Sequence, residues 1–489
     1  ERSSPMVSAR CPRRRYLLRT SQLESSLEAN MYQTIGEDRS DKKYASWGLA
    51  SSMIANVALV GAICFVASSG AADVQTGVSI RSAPVVAPMR MMPTRNAFRM
   101  QPRNLRANAE ASLELKGYIP YPDTTGKELT KLPPIQEKSP YSDELKATAA
   151  AIVADGKGIL ACDESTKTIG KRLEQIGVPN EETYRRQWRE LLFRTPKMNE
   201  AISSAILYEE TLAQNAADGT PFVDIMKANN VIPGIKVDTG VRATFMDGET
   251  ITDGLDGLAE RAAGYYKQGA RFAKWRGVLR IDPNGAPSME AIEANARSLA
   301  HYGKICQMNG LVPIIEPEVL MDGPHTIETQ AWVTEKVQAA TMKALSDVNI
   351  EWEGMLLKPN MILPGTDSGT TATPEEVAKF TVEGLKRTLP AAVPGITFLS
   401  GGQSEEEATR NLNAMNKLYP NAPWKLSFSF GRALQASVLK AWDGKDENVG
   451  AAQNLFYALA KANGDAALGK FEGAHPATTG SLYEKNYVY

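Results

Sequence analysis

The sequence predicts an α/β fold in which eight parallel β-strands close into a barrel that helices surround. Eight short apolar runs recur within residues 142–489, and their starts lie about 28 to 44 residues apart, which is the length of a strand-plus-helix unit. Helical patterns separate the runs, most clearly at 289–308, 326–346 and 375–388. Strand alternating with helix argues for a parallel sheet, and eight such units argue for a closed (β/α)8 (TIM) barrel.

An open, doubly wound sheet is the alternative arrangement of these units. That fold often carries a glycine-rich fingerprint after its first strand, and none is present here. Residues 464–470 (GDAALGK) are close to a phosphate-binding loop, but no strand precedes them and Phe471 occupies the Ser/Thr position. We therefore expect the barrel, and the eight predicted strands are 158–163, 202–208, 234–238, 272–276, 311–316, 354–360, 396–401 and 425–430.

The whole-chain composition is that of an ordinary globular protein, with 43% apolar and 23% charged residues. It excludes whole-chain disorder and a coiled coil, and a single long uncharged run excludes a multi-pass membrane protein. Four widely separated cysteines without a CxxC motif, and only three histidines, argue against a disulfide scaffold and against a zinc site.

Residues 1–109 carry 15 Lys and Arg against 7 Asp and Glu, whereas 110–489 carry 40 against 49. The two parts therefore serve different tasks.

The part before the barrel divides into four segments. Residues 1–43 form the start of a leader and end in two lysines, and residues 44–72 contain no charge and an apolar centre. A charged start, an apolar core and small residues after it are the layout of a signal peptide. A single transmembrane anchor is the alternative, although the strongly apolar core is shorter than the roughly 20 residues that a bilayer requires.

The third segment, residues 73–109, is rich in arginine, and from residue 74 onward it contains no acidic residue. This composition is typical of a transit peptide, with a nucleic-acid-binding arm as the alternative. A signal peptide followed by a transit peptide resembles the bipartite leader of algae with complex plastids, so we expect a plastid (chloroplast) location. Residues 110–141 are a proline-containing linker, and 142–489 hold the barrel and a C-terminal tail that we expect to be mobile.

Charged and small polar residues cluster where the predicted strands end. The active site of a barrel is built from the C-terminal ends of its strands. Residues two apart on a strand face the same side, so Lys274 with Arg276, and Glu316 with Glu318, point into one pocket. Ion pairs filling a barrel interior are the alternative, but buried ions are expensive and barrels normally fill with aliphatic residues. The strand ends carry Asp163, Glu164, Ser165, Lys236, Asp238, Lys274, Arg276, Glu316, Glu318, Lys358, Ser400, Gly401, Gly402, Ser429, Gly431 and Arg432.

These residues suit chemistry on a phosphorylated carbonyl compound. Lys358 lies between apolar residues, where a lysine amine can attack a carbonyl and form a Schiff base. The resulting iminium is an electron sink, so no metal or other cofactor is required, and Glu316 and Asp163 supply acids or bases. Backbone N–H groups of 400–402 and the Gly431–Arg432 pair suit one phosphate. Lys236, Ser165, Lys171 and Arg172 suit a second phosphate on the opposite side.

Over roughly residues 140–489 the chain resembles the class I fructose-bisphosphate aldolases. The resemblance implies a TIM barrel that cleaves fructose 1,6-bisphosphate to dihydroxyacetone phosphate and glyceraldehyde 3-phosphate, and that runs the reverse reaction, in glycolysis, gluconeogenesis or, with a plastid leader, carbon fixation. It also implies a homotetramer. The matching stretches are GKGILACDEST (156–166), GIKVDTGV (234–241), FAKWRGVL (272–279), VPIIEPEVL (312–320), EGMLLKPNM (353–361), GITFLSGGQSEEEA (395–408), FSFGRALQASVLKAW (428–442) and the terminal Tyr489.

The resemblance also implies a role for each residue. Lys358 would be the Schiff-base lysine, with Glu316 as the acid/base that forms and dehydrates the carbinolamine. Asp163 would take the proton from the C4 hydroxyl, Lys274 would assist at the same carbons, and Glu318 would orient its neighbours. The ketone-side phosphate would be bound by Ser400, Gly401, Gly402, Ser429, Gly431 and Arg432, the other phosphate by Ser165, Thr168, Arg172 and Lys236, with Arg276 also assigned to the phosphates.

Tyr489 would reach the site from the tail and serve in proton transfer at the enamine. Departures from the family pattern are mild: Thr239 stands where many relatives have Lys, and the chain ends Asn-Tyr-Val-Tyr rather than Asn-His-Ala-Tyr. A metal-dependent aldolase is a rival that needs histidines at the strand ends, and a scaffold role is a rival of another class. We expect sugar phosphates as ligands, no metal, no nucleic acid, and no membrane contact of the mature chain.

Overall fold

The computed structural model describes residues 138–285 and 287–477, and these residues form the predicted (β/α)8 barrel. Every barrel strand is parallel to its neighbours, and the barrel order is β1, β2, β3, β6, β7, β8, β9, β10 and back to β1. The barrel strands are β1 Gly158–Cys162, β2 Ile202–Leu207, β3 Ile232–Lys236, β6 Phe272–Leu279, β7 Val312–Val319, β8 Leu356–Leu357, β9 Gly395–Phe398 and β10 Lys425–Phe430. Strands β4 Gly240–Ala243 and β5 Thr250–Asp253 form an antiparallel hairpin outside the barrel.

Helices follow the barrel strands and begin at residues that the sequence marks as helix starts. Thr373 and Ser404 each form a capping box, in which the cap hydroxyl accepts from a backbone N–H and a glutamate three residues later reaches back. The α-helices are α1 Ser142–Ile152, α2 Thr166–Glu174, α3 Glu182–Phe193, α4 Glu209–Ala213, α5 Phe222–Ala228, α6 Leu258–Gln268, α7 Met289–Met308, α8 Ile327–Asp347, α9 Pro374–Thr388, α10 Glu405–Leu418, α11 Arg432–Trp442 and α12 Val449–Ala466. Short 3-10 turns lie at Met198–Glu200, Trp352–Gly354 and Asp446–Asn448.

The N-terminal end of the barrel is closed by α1. Its Leu145 and Ile152 pack in one buried cluster with Phe272 and other inward-facing strand residues. Gly234 makes room for this packing, because a Cβ atom there would lie 2.2 Å from the Phe272 ring. The buried cluster at this end is therefore apolar, whereas buried charged residues such as Asp163 and Lys358 directly follow strands at the other end.

The strand boundaries differ from the prediction at the functional end. Strands β6 and β7 each extend three residues further than expected, so the residues at 276, 316 and 318 lie within paired strands. Strand β8 is only two residues long, yet the N–H of the next residue, Lys358, donates to Ile315 O at 2.8 Å. These side chains are therefore held by regular sheet pairing and not by loops.

Several predictions concern residues outside those described. The leader segments 1–43, 44–72 and 73–109, nearly all of the linker 110–141, and Tyr489 lie outside the described ranges. Within 138–285 and 287–477, no helix is both long enough and apolar enough to cross a membrane. The boundaries predicted for these segments stay predictions.

Candidate active site

Lys274 lies at the centre of a buried chain of opposite charges. Its Nζ is 2.8 Å from Asp163 Oδ2 and 3.5 Å from Glu316 Oε2. The other Glu316 oxygen, Oε1, is 3.1 Å from Lys358 Nζ. All four side chains are buried. Two carboxylates and two amines therefore alternate across the barrel interior.

The sheet places these groups together. Lys274 and Glu316 lie on neighbouring strands β6 and β7, whose register pairs Arg276 with Glu316. Asp163 directly follows β1, and Lys358 directly follows β8. In a parallel barrel all C-terminal strand ends meet at one mouth, so residues that are far apart in sequence converge there.

The charges around Asp163 determine its ionisation. Burial alone would raise the pKa of this carboxyl, but the nearby ammonium groups of Lys274 and Lys358 outweigh burial and lower the pKa to about 2. Asp163 is therefore ionised at neutral pH and can accept a proton.

Arg276 and Glu318 form a second buried ion pair beside this chain of charges. Gly401 lies against the pair, since a Cβ atom at Gly401 would be 3.2 Å from Glu318 Oε1. The backbone carbonyl of Arg276 accepts from Thr252 Oγ1 at 2.6 Å, which ties the hairpin to β6. Arg276, Glu316 and Glu318 line one cavity, and Glu318 pairs with Arg276. Lys274, predicted to share this pocket, is not among the residues that line it and lies between Asp163 and Glu316.

One cavity contains Lys358, Glu316 and five of the six residues predicted to bind the ketone-side phosphate. Ser429 is 1% exposed, and its hydroxyl has no hydrogen-bond partner among the described residues. Gly431 is the N-cap of α11 and brings no side-chain cap, so the first N–H groups of this helix are available to an anion. The cavity is lined by Ala161, Arg172, Arg276, Glu316, Glu318, Lys358, Leu399, Ser400, Gly401, Ser429, Gly431 and Arg432.

Gly402 lies in an adjoining cavity and has a left-handed backbone, with φ of +79°. A Cβ atom there would also lie 2.4 Å from Met321 Cε. Glycine is therefore required at this turn, which presents the loop after β9 to the cavity.

The residues predicted for the second phosphate are only partly brought to the cavity. Arg172 lines it, whereas Ser165 caps α2 and its hydroxyl lies 3.0 Å from Thr168 Oγ1. Lys236 Nζ contacts its neighbour Asp238, at 2.5 Å from Oδ1 and 2.8 Å from the backbone carbonyl. Ser165, Thr168 and Lys236 thus have local partners, and their role in binding phosphate stays a prediction.

Sequence reasoning assigned no role to three buried residues of this site. Glu164 pairs with Arg172 and Arg189, and Gln435 donates to Glu164 Oε1 at 3.2 Å. Asn360 Oδ1 accepts from the Val319 N–H at 3.0 Å and fixes the end of β7. Glu164 was placed at a strand end by the sequence but without a role, because its partners, like those of the buried amides, depend on tertiary contacts that local sequence does not show.

Within the described residues, no group of three or more His, Cys, Asp or Glu side chains is placed to hold a metal ion.

The chain is similar to aldolases from several eukaryotes. "Fructose-bisphosphate aldolase 6, cytosolic" of Arabidopsis thaliana is 58% identical over 355 residues, covering 72% of this chain and 99% of that protein. The cytoplasmic isozyme of Spinacia oleracea is 58% identical over 352 residues, covering 71% and 98%. Fructose-bisphosphate aldolase of Dictyostelium discoideum is 57% identical over 356 residues, covering 72% and 99%.

These relatives overturn the predicted plastid location. Curated relatives with high identity are named as cytosolic or cytoplasmic isozymes. The plastid prediction depended on the composition of residues 44–109 alone, whereas these matches reflect the enzyme body. The plastid prediction is therefore wrong, and the carbon-fixation role that depended on it loses its basis.

A solved structure and a family model agree with the sequence relatives. The solved structure is fructose-bisphosphate aldolase from Plasmodium falciparum, crystallised in complex with TRAP and a small-molecule inhibitor; it is 51% identical, with a TM-score of 0.68, covering 69% of this chain and 98% of that one. The family model described as "Fructose-bisphosphate aldolase class-I" matches residues 144–489. The chain therefore belongs to the class I fructose-bisphosphate aldolase family and is a lyase.

Proposed function

We propose that this enzyme cleaves fructose 1,6-bisphosphate reversibly through a Schiff base on Lys358, in glycolysis and gluconeogenesis. The observation that carries the proposal is the position of Lys358 Nζ, 3.1 Å from Glu316 Oε1, in a cavity that also presents Ser429 and the N-terminus of α11. A buried amine next to a carboxylate has a base for its proton, which frees the lone pair that attacks a carbonyl.

Formation of the Schiff base uses Lys358 and Glu316. The amine adds to the C2 ketone of the substrate, and Glu316 passes a proton to the carbinolamine oxygen. Water then leaves, and the iminium retains the positive charge. Glu316 Oε1 lies 3.1 Å from Lys358 Nζ, close enough to take the proton of the amine and return it to the carbinolamine oxygen, and Oε2 lies 3.5 Å from Lys274 Nζ.

Cleavage of the C3–C4 bond uses Asp163. Its carboxylate takes the proton of the C4 hydroxyl, C4 becomes the aldehyde of glyceraldehyde 3-phosphate, and the bond electrons move into the iminium to give an enamine. The lowered pKa of Asp163 keeps it ionised for this step. Lys274 assists by holding Asp163 and by favouring negative charge at the oxygen.

Release of the second product reverses the first steps. Protonation of the enamine at C3 and hydrolysis of the iminium free dihydroxyacetone phosphate and restore Lys358. We propose that Tyr489 takes part in this protonation.

Glu318 keeps Arg276 in place beside the cavity, and Arg276 contributes positive charge toward the phosphates.

The two phosphates are held on different elements. We propose that Ser400, Gly401, Gly402, Ser429, Gly431 and Arg432 bind the phosphate of the ketone half, through the loop after β9 and the start of α11. Ser165, Thr168, Arg172 and Lys236 then face the other phosphate. An uncapped helix N-terminus and an arginine are both suited to a phosphate dianion.

We also propose that the enzyme assembles as a homotetramer. The support for this is the family resemblance; Trp332 on α8 and Phe245 in the hairpin, 63% and 88% exposed, are the large aromatic residues that such an assembly could cover. Analytical ultracentrifugation of the wild type tests this, and a monomer at micromolar concentration would refute it.

Borohydride trapping tests the mechanism. Dihydroxyacetone phosphate plus borohydride should inactivate the enzyme and add one triose phosphate to the peptide that contains Lys358, as read by mass spectrometry. Lys358→Met should remove the label, whereas Lys343→Met, which alters an exposed lysine on α8, should retain it. A chelator should leave activity intact. Labelling of a different lysine, or loss of activity on chelation, would refute the assignment.

A further inference from the structure

Glu164 is a buried carboxylate that the proposed chemistry does not use. It is 3% exposed and follows Asp163 at the end of β1. Oε1 accepts from Arg172 NH1, and Oε2 accepts from Arg189 NH2 at 2.7 Å. Burial would raise the pKa of this carboxyl, but the two guanidinium groups outweigh burial and lower it, so Glu164 is ionised.

The two arginines differ in what they face. Arg172 on α2 lines the cavity that contains Lys358, whereas Arg189 on α3 is 3% exposed and packed inside the protein. Arg189 supplies the counter-charge that a buried carboxylate needs. Glu164 is therefore anchored on one side by Arg189 and directs Arg172 toward the cavity on the other.

The same carboxylate also contacts α11, whose N-cap Gly431 and first residue Arg432 line the same cavity as Arg172. Gln435 Nε2 on this helix donates to Ala161 O at 2.8 Å and to Glu164 Oε1 at 3.2 Å. Trp188 Nε1 donates to Gln435 Oε1 at 3.3 Å and fixes the orientation of the amide. Two separate anion-binding elements, Arg172 and the start of α11, are thus connected through one buried side chain.

We propose that Glu164 is a positioning residue that sets the spacing between the two phosphate sites, so that the enzyme prefers a ketose bisphosphate to a ketose monophosphate. The proposal depends on the proposed function, because it assumes that Arg172 binds one phosphate of the substrate and the start of α11 binds the other. Binding of a substrate with two phosphates depends on the distance between the two phosphate sites, whereas binding of a substrate with one phosphate does not.

Substrate preference in Glu164→Gln tests this. The substitution keeps the shape and removes the charge that holds Arg172. We expect kcat/KM for fructose 1,6-bisphosphate to fall about tenfold more than kcat/KM for fructose 1-phosphate, mainly through KM. The matched control is Glu190→Gln on α3, which removes a carboxylate paired with Arg186 and Arg194 away from the cavity, and which should leave the ratio of the two substrates unchanged.

A double-mutant cycle separates positioning from a general structural role. If Glu164 acts through Arg172, adding Glu164→Gln to Arg172→Ala should not change the substrate ratio further. An equal loss for both substrates in Glu164→Gln, or a further change of the ratio in the double variant, would overturn the proposal.

Two further measurements distinguish a folding defect from a failure of the proposed function. Should Glu164→Gln alone not fold, Glu164→Gln with Arg189→Gln removes one charge of each sign and allows the same comparison. Borohydride labelling of Lys358 in these variants reports on the covalent step. Absent labelling in the wild type refutes the proposed function, whereas normal labelling with an unchanged substrate ratio refutes the positioning role alone.

Discussion

Lys274 and Asp163 form an ion pair, at 2.8 Å between Nζ and Oδ2, and their side chains are 1% and 4% exposed. In such a buried pair the ionisation of each partner depends strongly on the other. The pair also joins Asp163 to Glu316, because Lys274 Nζ lies 3.5 Å from Glu316 Oε2. Disturbing Lys274 should therefore alter proton transfer without removing a proton donor or acceptor for the substrate.

Lys274→Met should raise the pKa of Asp163. In the wild type, burial raises this pKa, but the ammonium groups of Lys274 and Lys358 lower it to about 2. Without the ammonium group of Lys274, less positive charge opposes the effect of burial, so the pKa rises. Asp163 would then be protonated at higher pH. We expect kcat for cleavage to fall by about 10² to 10⁴-fold and the acid limb of the kcat/KM profile to move to higher pH. An acid limb at the wild-type position would contradict the role of Asp163 as base.

The same shift predicts how stability depends on pH. Asp163 has a pKa below its ordinary value of 3.8 in the folded protein, so its ionised form stabilises the fold above that value. The contribution is complete above about pH 5 and is lost as the pH falls from about 4 toward 2.

Comparison with Asp163→Asn isolates this contribution. The difference in free energy of unfolding between the two proteins, from urea titrations, should be constant from about pH 7 to about pH 5 and shrink below about pH 4. Asp347→Asn is the control, because Asp347 is 61% exposed on α8 and pairs with the exposed Lys343. A difference that grows toward low pH would have the wrong sign for a lowered pKa.

The barrel was predictable because each of its units has a local signature. Apolar runs and helix patterns alternate, and the helix Met289–Met308 lies where its periodicity placed it. The hairpin Gly240–Asp253 does not belong to the strand-helix alternation, so the barrel pattern does not predict it, although Asp247–Gly248 is a local hairpin signal. The extra residues of β6 and β7 were also missed, since charged residues at 276, 316 and 318 look like the end of a strand when tertiary pairing is unknown.

The site was predictable where strand order and side-chain direction decide it. Period-two spacing placed Glu316 and Glu318 on one side of β7, and both line the same cavity. The spacing could not show which side chains form ion pairs. Lys274 lies between Asp163 and Glu316, whereas Lys236 pairs with Asp238 two residues away. Such pairing depends on distances between strands and loops that are set only when the barrel closes.

Ser429→Ala should separate stability from binding. The hydroxyl is buried and has no hydrogen-bond partner among the described residues, so its removal should leave the unliganded protein as stable or slightly more stable. A phosphate that accepts from this hydroxyl would lose one hydrogen bond, and KM should rise severalfold. Thermal unfolding and steady-state kinetics measure the two effects. A marked loss of stability would show that Ser429 serves the fold.

Arg432→Ala should weaken binding of dihydroxyacetone phosphate. Arg432 is the first residue of α11 and lines the cavity beside Lys358, where a guanidinium can contact a phosphate with two hydrogen bonds. Loss of such a contact costs roughly 1.5–3 kcal/mol of binding free energy. Isothermal titration with dihydroxyacetone phosphate measures it, and an unchanged dissociation constant would remove Arg432 from the site. Arg410→Ala, on the outer side of α10, is the control.

The last prediction concerns Tyr489, which lies outside the described residues. The chain before it is anchored at His475, whose Nε2 lies 3.1 Å from Thr409 Oγ1, and at Ala477, which is buried. Twelve further residues, 478–489, follow, and an extended chain of that length spans at most about 40 Å.

Deletion of Tyr489 should slow proton transfer at the enamine carbon without preventing Schiff-base formation, which depends on residues of the barrel. The enamine should then accumulate, and hydrogen exchange at C3 of dihydroxyacetone phosphate, followed by NMR in deuterated water, should become slow. Borohydride labelling of Lys358 should persist in the truncated enzyme. Tyr489→Phe keeps the ring and removes the hydroxyl, so it separates a proton-transfer role from packing of the ring. Equal exchange rates in the full-length and truncated proteins would exclude Tyr489 from the mechanism and leave it a surface residue.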